Sequence, residues 1–193
     1  MSRFFFTLAL IAAAFTTQAQ SKPVKLTQGD LEFSAGVGVI SSFVAEGGRT
    51  IVPPVNLRLD YYVADNFTLG AFGGFSSTSS GRITRPNGTI DAYENDFYLF
   101  GVRATGVSNN LNNWRIYGGL QLAYSTPKVT HTQITPEPKD GDVLSPRYSN
   151  GAQNQLLYSG FVGARRYFSP KMAGFAEFGY GVSILNVGLT VKL

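Results

Sequence analysis

From Leu31 to the C-terminus, apolar residues alternate with polar or small ones in eight runs of about ten residues. Leu31, Phe33, Ala35, Val37 and Val39 alternate with Glu32, Ser34, Gly36 and Gly38. Val55, Leu57, Leu59, Tyr61 and Val63 alternate with Asn56, Arg58, Asp60 and Tyr62. Further runs begin near Phe67, Phe97, Trp114, Leu156, Met172 and Ile184. In the last, Leu185, Val187, Leu189, Val191 and Leu193 face away from Ile184, Asn186, Gly188, Thr190 and Lys192. A period of two sends successive side chains to opposite faces, which excludes a helical domain and predicts strands. Ten residues is the length a tilted strand needs to cross a bilayer.

The connections are of two kinds. Residues 41–52, 76–92 and 127–153 form long polar connections, whereas 64–66, 108–113 and 169–171 are short and rich in Asn, Asp, Ser and Pro, which suit tight reversals. A further tight hairpin falls near Gly181 to Ser183. With an even strand number, both termini share the side of the short turns. Upstream, Arg3 precedes an apolar stretch from Phe4 to Phe15, with small residues at Thr17 and Ala19, the pattern of a secretory signal peptide. The expected organisation is a cleaved signal at 1–19, a short periplasmic segment at 20–30 and a barrel over 31–193. No second apolar run is long enough for a membrane helix.

Alternation alone does not say which face meets water. A soluble exported barrel of the lipocalin kind turns its apolar face inward, whereas a membrane barrel turns it to lipid and keeps polar groups in the lumen. Aromatics of the apolar parity gather at the run ends. Tyr61, Phe67, Trp114 and Phe168 flank the short turns, and Phe75, Tyr124, Tyr158 and Tyr180 lie toward the long connections. Two such girdles fit two lipid–water interfaces. The other parity carries Glu32, Arg58, Asp60, Arg103, Arg115, Arg165, Glu177 and Lys192 among many of the 22 glycines. Only 15% of the chain is charged, fewer than the roughly 25% of ordinary soluble domains. The predicted class is all-β: an eight-stranded antiparallel up-and-down transmembrane β-barrel whose narrow lumen holds these charges in pairs.

The stretch from Gly160 to Phe168 (GFVGARRYF), then Phe175 to Gly181 (FAEFGYG) and the closing Asn186 to Leu193 (NVGLTVKL) resemble the outer-membrane protein β-barrel domain family. These are the small porin-like, OmpX/OmpW-like barrels of Gram-negative bacteria. The resemblance implies an outer-membrane location, contact with outer-membrane lipid and lipopolysaccharide, and delivery by the barrel-insertion machinery. It implies no single activity.

Candidate chemistry is sparse. With no Cys, disulfides, thiolate metal sites and Cys nucleophiles are excluded. His131 is the single histidine and lies in the 127–153 connection. Some barrels of this size modify lipid A with His, Ser and an acid, and Ser125, Ser145, Glu137 and Asp140 are partners on paper. No ligand spacing suggests a metal or other cofactor. A net charge of +4 without a basic run excludes nucleic acid as a partner. Arg82, Arg85 and Lys128 in the long connections are candidates for lipopolysaccharide phosphates. The leading expectation is a monomeric, non-enzymatic barrel with a side-chain-filled lumen, acting in envelope structure or surface interaction through its long loops. The alternatives are a narrow channel for small apolar or anionic solutes, a lipid A-modifying enzyme, and a soluble lipocalin-like binder.

Overall fold

The computed structural model describes residues 24–42, 49–84, 90–135 and 154–193, and only the backbone at 80–84, 90–93 and 131–135. Within them lie eight strands: β1 (Leu31–Ser41), β2 (Arg49–Ala64), β3 (Phe67–Thr84), β4 (Ile90–Val107), β5 (Trp114–Thr135), β6 (Gln155–Tyr167), β7 (Met172–Gly179) and β8 (Ser183–Lys192). Each pairs antiparallel with its sequence neighbours, and β1 pairs with β8 to close the barrel. Closure leaves no sheet edge along the barrel wall, which a wall surrounded by hydrocarbon requires.

The parity read from the sequence is the parity of the wall. Glu32, Ser34, Arg58, Asp60, Thr105 and Arg165 are buried, while Phe33, Leu57, Leu59, Leu69, Val102 and Leu120 are exposed. The apolar face is therefore outside, the reverse of the lipocalin arrangement.

The strand ends depart from the expectation. Residues 76–84 and 126–135 continue the ladder instead of forming loops, with Ser77 opposite Asp96, Ile83 opposite Asp91 and Glu94 opposite Thr130. On that side, β3, β4 and β5 run past the ends of β6, β7, β8 and β1. Their sequence is rich in Ser and Thr and lacks a sustained apolar alternation, although its backbone still pairs. At the start of β8 the ladder to β1 shifts twice between Gly38 and Ser41. Ser183 and Asn186, three apart, are consequently both buried. Ile184 lies beside the lipid-facing Val162 and Phe178 instead of on the inner parity.

Short turns close the opposite end. Asn112 (φ 52°) and Asn113 (φ 68°) take left-handed conformations between β4 and β5, which Asn tolerates better than most residues. Preceding β1, residues 24–30 enter this end of the lumen. Val24 and Leu26 pack with Tyr62, Val107, Tyr117 and Tyr167.

Candidate functional site

Inward-facing residues of β1, β2, β4, β6 and β7 meet in the lumen and form two carboxylate hubs. Glu32 on β1 forms an ion pair with Arg165 on β6 and accepts hydrogen bonds from Tyr62 (2.9 Å) and from Tyr167. Asp60 on β2, directly across the ladder from Glu32, receives Arg165 at 3.4 Å and lies 3.7 Å from the Arg103 Nε. Like charges directly opposite repel, and the Arg165 guanidinium between them offsets that cost. The second hub is Glu177 on β7, paired with Arg58 and, at 2.9 Å, with Arg103 on β4. Arg103 thus links both hubs.

Each of these arginines also stacks on a ring: Arg58 over Phe175 (4.0 Å), Arg103 over Phe161 (3.8 Å) and Arg165 over Tyr117 (4.4 Å). A delocalised guanidinium can present its edge to carboxylates and its face to a ring, which a lysine cannot do. Glycine makes the space. A Cβ on Gly70 would stand 2.3 Å from Asp60 Oδ1, and one on Gly163 would stand 2.5 Å from the Tyr117 ring.

The structure brings together six of the eight lumen charges singled out in the sequence: Glu32, Asp60, Glu177, Arg58, Arg103 and Arg165. The other two take different partners. Arg115 is buried and donates to the backbone carbonyls of Ser108 (3.2 Å) and Val24 (3.2 Å). Lys192 lies at the turn-end rim, 2.7 Å from Asp30, and donates to the Lys25 carbonyl. Tyr167 and the ring partners Tyr117 and Phe175 were not among the residues singled out in the sequence. Their inward parity beside Arg165 and Glu177 was the available signal.

Toward the loop end, a cavity of about 30 Å³ remains among Asn56, Arg58, Arg103, Gln121, Glu177 and Asn186. That is room for roughly one or two waters. The Arg58 Nε and Nη2 and the Asn56 Oδ1 have no protein hydrogen-bond partner.

Of the girdle residues, Tyr61, Phe67, Trp114, Phe168, Tyr124, Tyr158 and Tyr180 are exposed, and Phe75 is half-buried against Tyr98 at 4.9 Å between ring centroids. Arg166 lies 5.6 Å over the Trp114 ring.

His131 belongs to β5, opposite Tyr93 and not in a loop. Ser125 lies six residues earlier on the same strand, about 20 Å away at 3.3 Å per residue. The two cannot share a proton at hydrogen-bond distance. Glu137, Asp140, Ser145 and Arg85 lie outside the described residues, as does the expected signal peptide. Arg82 pairs with Ala92 in the ladder, and Lys128 stands opposite Asp96. Among the described residues, no three His, Cys, Asp or Glu side chains converge to hold a metal ion.

A wall whose exposed face is Leu, Val and Phe is stable only where that face meets hydrocarbon, so the molecule is a membrane-spanning β-barrel of the outer-membrane type. Among solved structures, it is similar to the outer membrane protein OprG from Pseudomonas aeruginosa, with 13% identity and a TM-score of 0.55 over 88% of this chain and 99% of that one. The N-terminal β-barrel domain of OprF from the same organism matches at 14% identity and a TM-score of 0.47, covering 87% and 100%. Ail, the attachment invasion locus protein of Yersinia pestis, matches at 13% and 0.45, covering 86% and 96%. No family model and no curated protein sequence matches the chain. At these identities the likeness is one of fold.

Proposed function

We propose that this protein is a non-enzymatic outer-membrane barrel that does not conduct solutes and acts through its loop end, in envelope structure or surface interaction. The observation that carries the reading is the closed lumen: Glu32, Asp60 and Glu177 span it with Arg58, Arg103 and Arg165. Opening a path would separate buried opposite charges, which costs several kcal/mol per stranded ion. The rigid barrel then serves as a mount for the long connections, where binding residues on such scaffolds usually sit. In this reading residues 1–19 are a cleaved signal, the loop end faces lipopolysaccharide outside the cell, and the short turns face the periplasm. The barrel works as a monomer after delivery by the insertion machinery.

Planar-bilayer recording of the purified, folded protein tests the closed lumen. The expected record is free of unit conductance steps at any voltage that leaves the bilayer intact. Reproducible steps that vanish when the lumen is blocked would replace this reading with a narrow channel. Heat-modifiable migration together with membrane fractionation tests the location, and recovery in the soluble fraction would overturn it.

A further inference from the structure

At the turn end, the residues before β1 behave as a ligand of the barrel. Val24 and Leu26 are buried in one cluster with Tyr62, Val107, Tyr117 and Tyr167. The Val24 carbonyl accepts from both Asn110 (3.0 Å) and Arg115 (3.2 Å). Further along, Gly29 N–H donates to the Tyr62 carbonyl (2.8 Å), Tyr62 N–H to the Asp30 carbonyl (2.9 Å), and Gln28 N–H to Asp65 (2.9 Å). Gly29 has φ +95°, so the chain reverses there on a residue that adopts this conformation without a steric cost. The segment is thus held by backbone recognition, two apolar anchors and the Lys192–Asp30 pair.

Arg115 explains why the site needs an occupant. It stands directly opposite Arg165 in the β5–β6 ladder, so two like charges face the same narrow lumen. Arg165 takes Glu32 and Asp60, while Arg58 and Arg103 take Glu177. Among the described residues no carboxylate is bonded to Arg115, and the Val24 and Ser108 carbonyl oxygens are its acceptors. Without the segment, a buried guanidinium would lose one of those acceptors, and Tyr62, Val107 and Tyr167 would face water.

We infer that the turn-end mouth is a binding site for an extended peptide, occupied in cis by residues 24–30, and that this segment seals the lumen independently of the charge network above it. The inference concerns closure at the turn end and holds whatever the loop end binds. It gives residues 24–30 a role inside the barrel instead of that of a free tether.

The chain has no Cys, so single-cysteine labelling reads the mouth directly. Val107 is buried in the cluster with Val24 and Leu26, and Asn186 lines the cavity on the far side of the network. V107C in the folded protein should react slowly with a charged, water-soluble maleimide. Deleting residues 24–28, or introducing Val24→Asp with Leu26→Asp, should raise that rate by about tenfold or more, because local opening becomes the resting state. The N186C rate should stay unchanged. Equal V107C rates with and without the segment would overturn the inference, as would a matching rise at N186C, which would mean general loosening. Hydrogen exchange on the unaltered protein needs no variant to fold: the Gly29 and Tyr62 amides should be protected, and complete exchange at Gly29 within the first time point would equally overturn it.

Discussion

The two ends of the lumen solve the same problem with different amounts of protein. At the turn end, Glu32, Asp60 and Arg165 are fully buried, three donors converge on Glu32, and residues 24–30 cover the whole arrangement. At the loop end, Glu177 meets Arg58 and Arg103 beside a small cavity, and Arg58 keeps two N–H groups without a protein partner. In the first hub one guanidinium N–H, the Arg165 Nε, is left without a protein partner, against two on Arg58 in the second. The second borders space that water can occupy. The lesson is that closure and hydration are graded along one barrel, with the side of the short turns dry and the side of the long connections wet.

The largest effect should therefore come from removing the dry hub's acceptor. Glu32→Gln leaves Arg165 with Asp60 alone and sets an amide among donors from Tyr62 and Tyr167. Breaking a buried pair in this way should cost about 3–5 kcal/mol. Glu177→Gln should cost less, about 1–3 kcal/mol, because water in the adjoining cavity can solvate Arg58. Urea unfolding of the refolded barrel in lipid vesicles, followed by the emission of the single Trp114, measures both. If the two variants lose the same stability, the dry–wet distinction fails. Adding Arg165→Met to Glu32→Gln should recover part of the loss, since the stranded charge leaves with its partner.

A smaller effect separates the inside of the wall from its outside. Gly70 and Gly106 are both glycines in the β3–β4 ladder, but only one lies against a charge. A methyl group at Gly70 would meet Asp60 Oδ1 at 2.3 Å and the Leu59 carbonyl at 2.7 Å, whereas at Gly106 the nearest atom is 3.7 Å away. Gly70→Ala should cost about 1–3 kcal/mol through overpacking. Gly106→Ala should stay within about 0.5 kcal/mol of the parent. The same unfolding experiment tests both, and an equal cost at the two sites would show that the Asp60 region can yield.

These contrasts also mark what the sequence displayed. Alternation disclosed the eight strands and their facing because lipid demands one apolar face along each strand, so parity is written in residue types. Glu32, Asp60 and Arg165 were visible as charges on the inner parity. That they pair was expected from the narrow lumen, but which arginine meets which carboxylate was not legible, since it depends on how tilted strands bring distant registers across the lumen. The ladder beyond Ser76 and Thr126 was hidden because strands outside the bilayer need no apolar stripe. The shift at Ser183 was hidden because an irregularity of backbone pairing leaves no mark on composition. The segment at Val24 and Leu26 offers two apolar residues at strand spacing, too short a pattern to distinguish a seal from a tether. Arg115 was grouped with the other lumen charges because its parity is theirs. Only the ladder shows that it stands opposite Arg165, and only the folded chain shows that it donates to the Val24 and Ser108 carbonyls.

The smallest predicted effect lies at the rim, where the mouth meets solvent. Burial by itself would raise the Asp30 pKa, but the Lys192 ammonium and the Thr27 N–H outweigh it and hold the carboxyl below its ordinary 3.8. A carboxyl whose pKa is lower in the folded state than in the unfolded chain stabilises the fold above its ordinary value. That contribution is lost as pH falls from 3.8 through the lowered folded value, where the folded carboxylate also becomes protonated. The pair is partly exposed, so its worth is about 1 kcal/mol or less and should shrink in high salt. Asp30→Asn should remove this share of the acid-side loss while leaving the stability at neutral pH lower by that amount. By hydrogen exchange, the Gly29 amide of the parent should open more readily below pH 3.8 once rates are corrected for the intrinsic pH dependence of amide exchange. The Asp30→Asn variant should show a flatter response. An identical acid response in both proteins would mean that the Lys192–Asp30 pair takes no part in holding the segment, and that Arg115, Asn110 and the two apolar anchors hold it unaided.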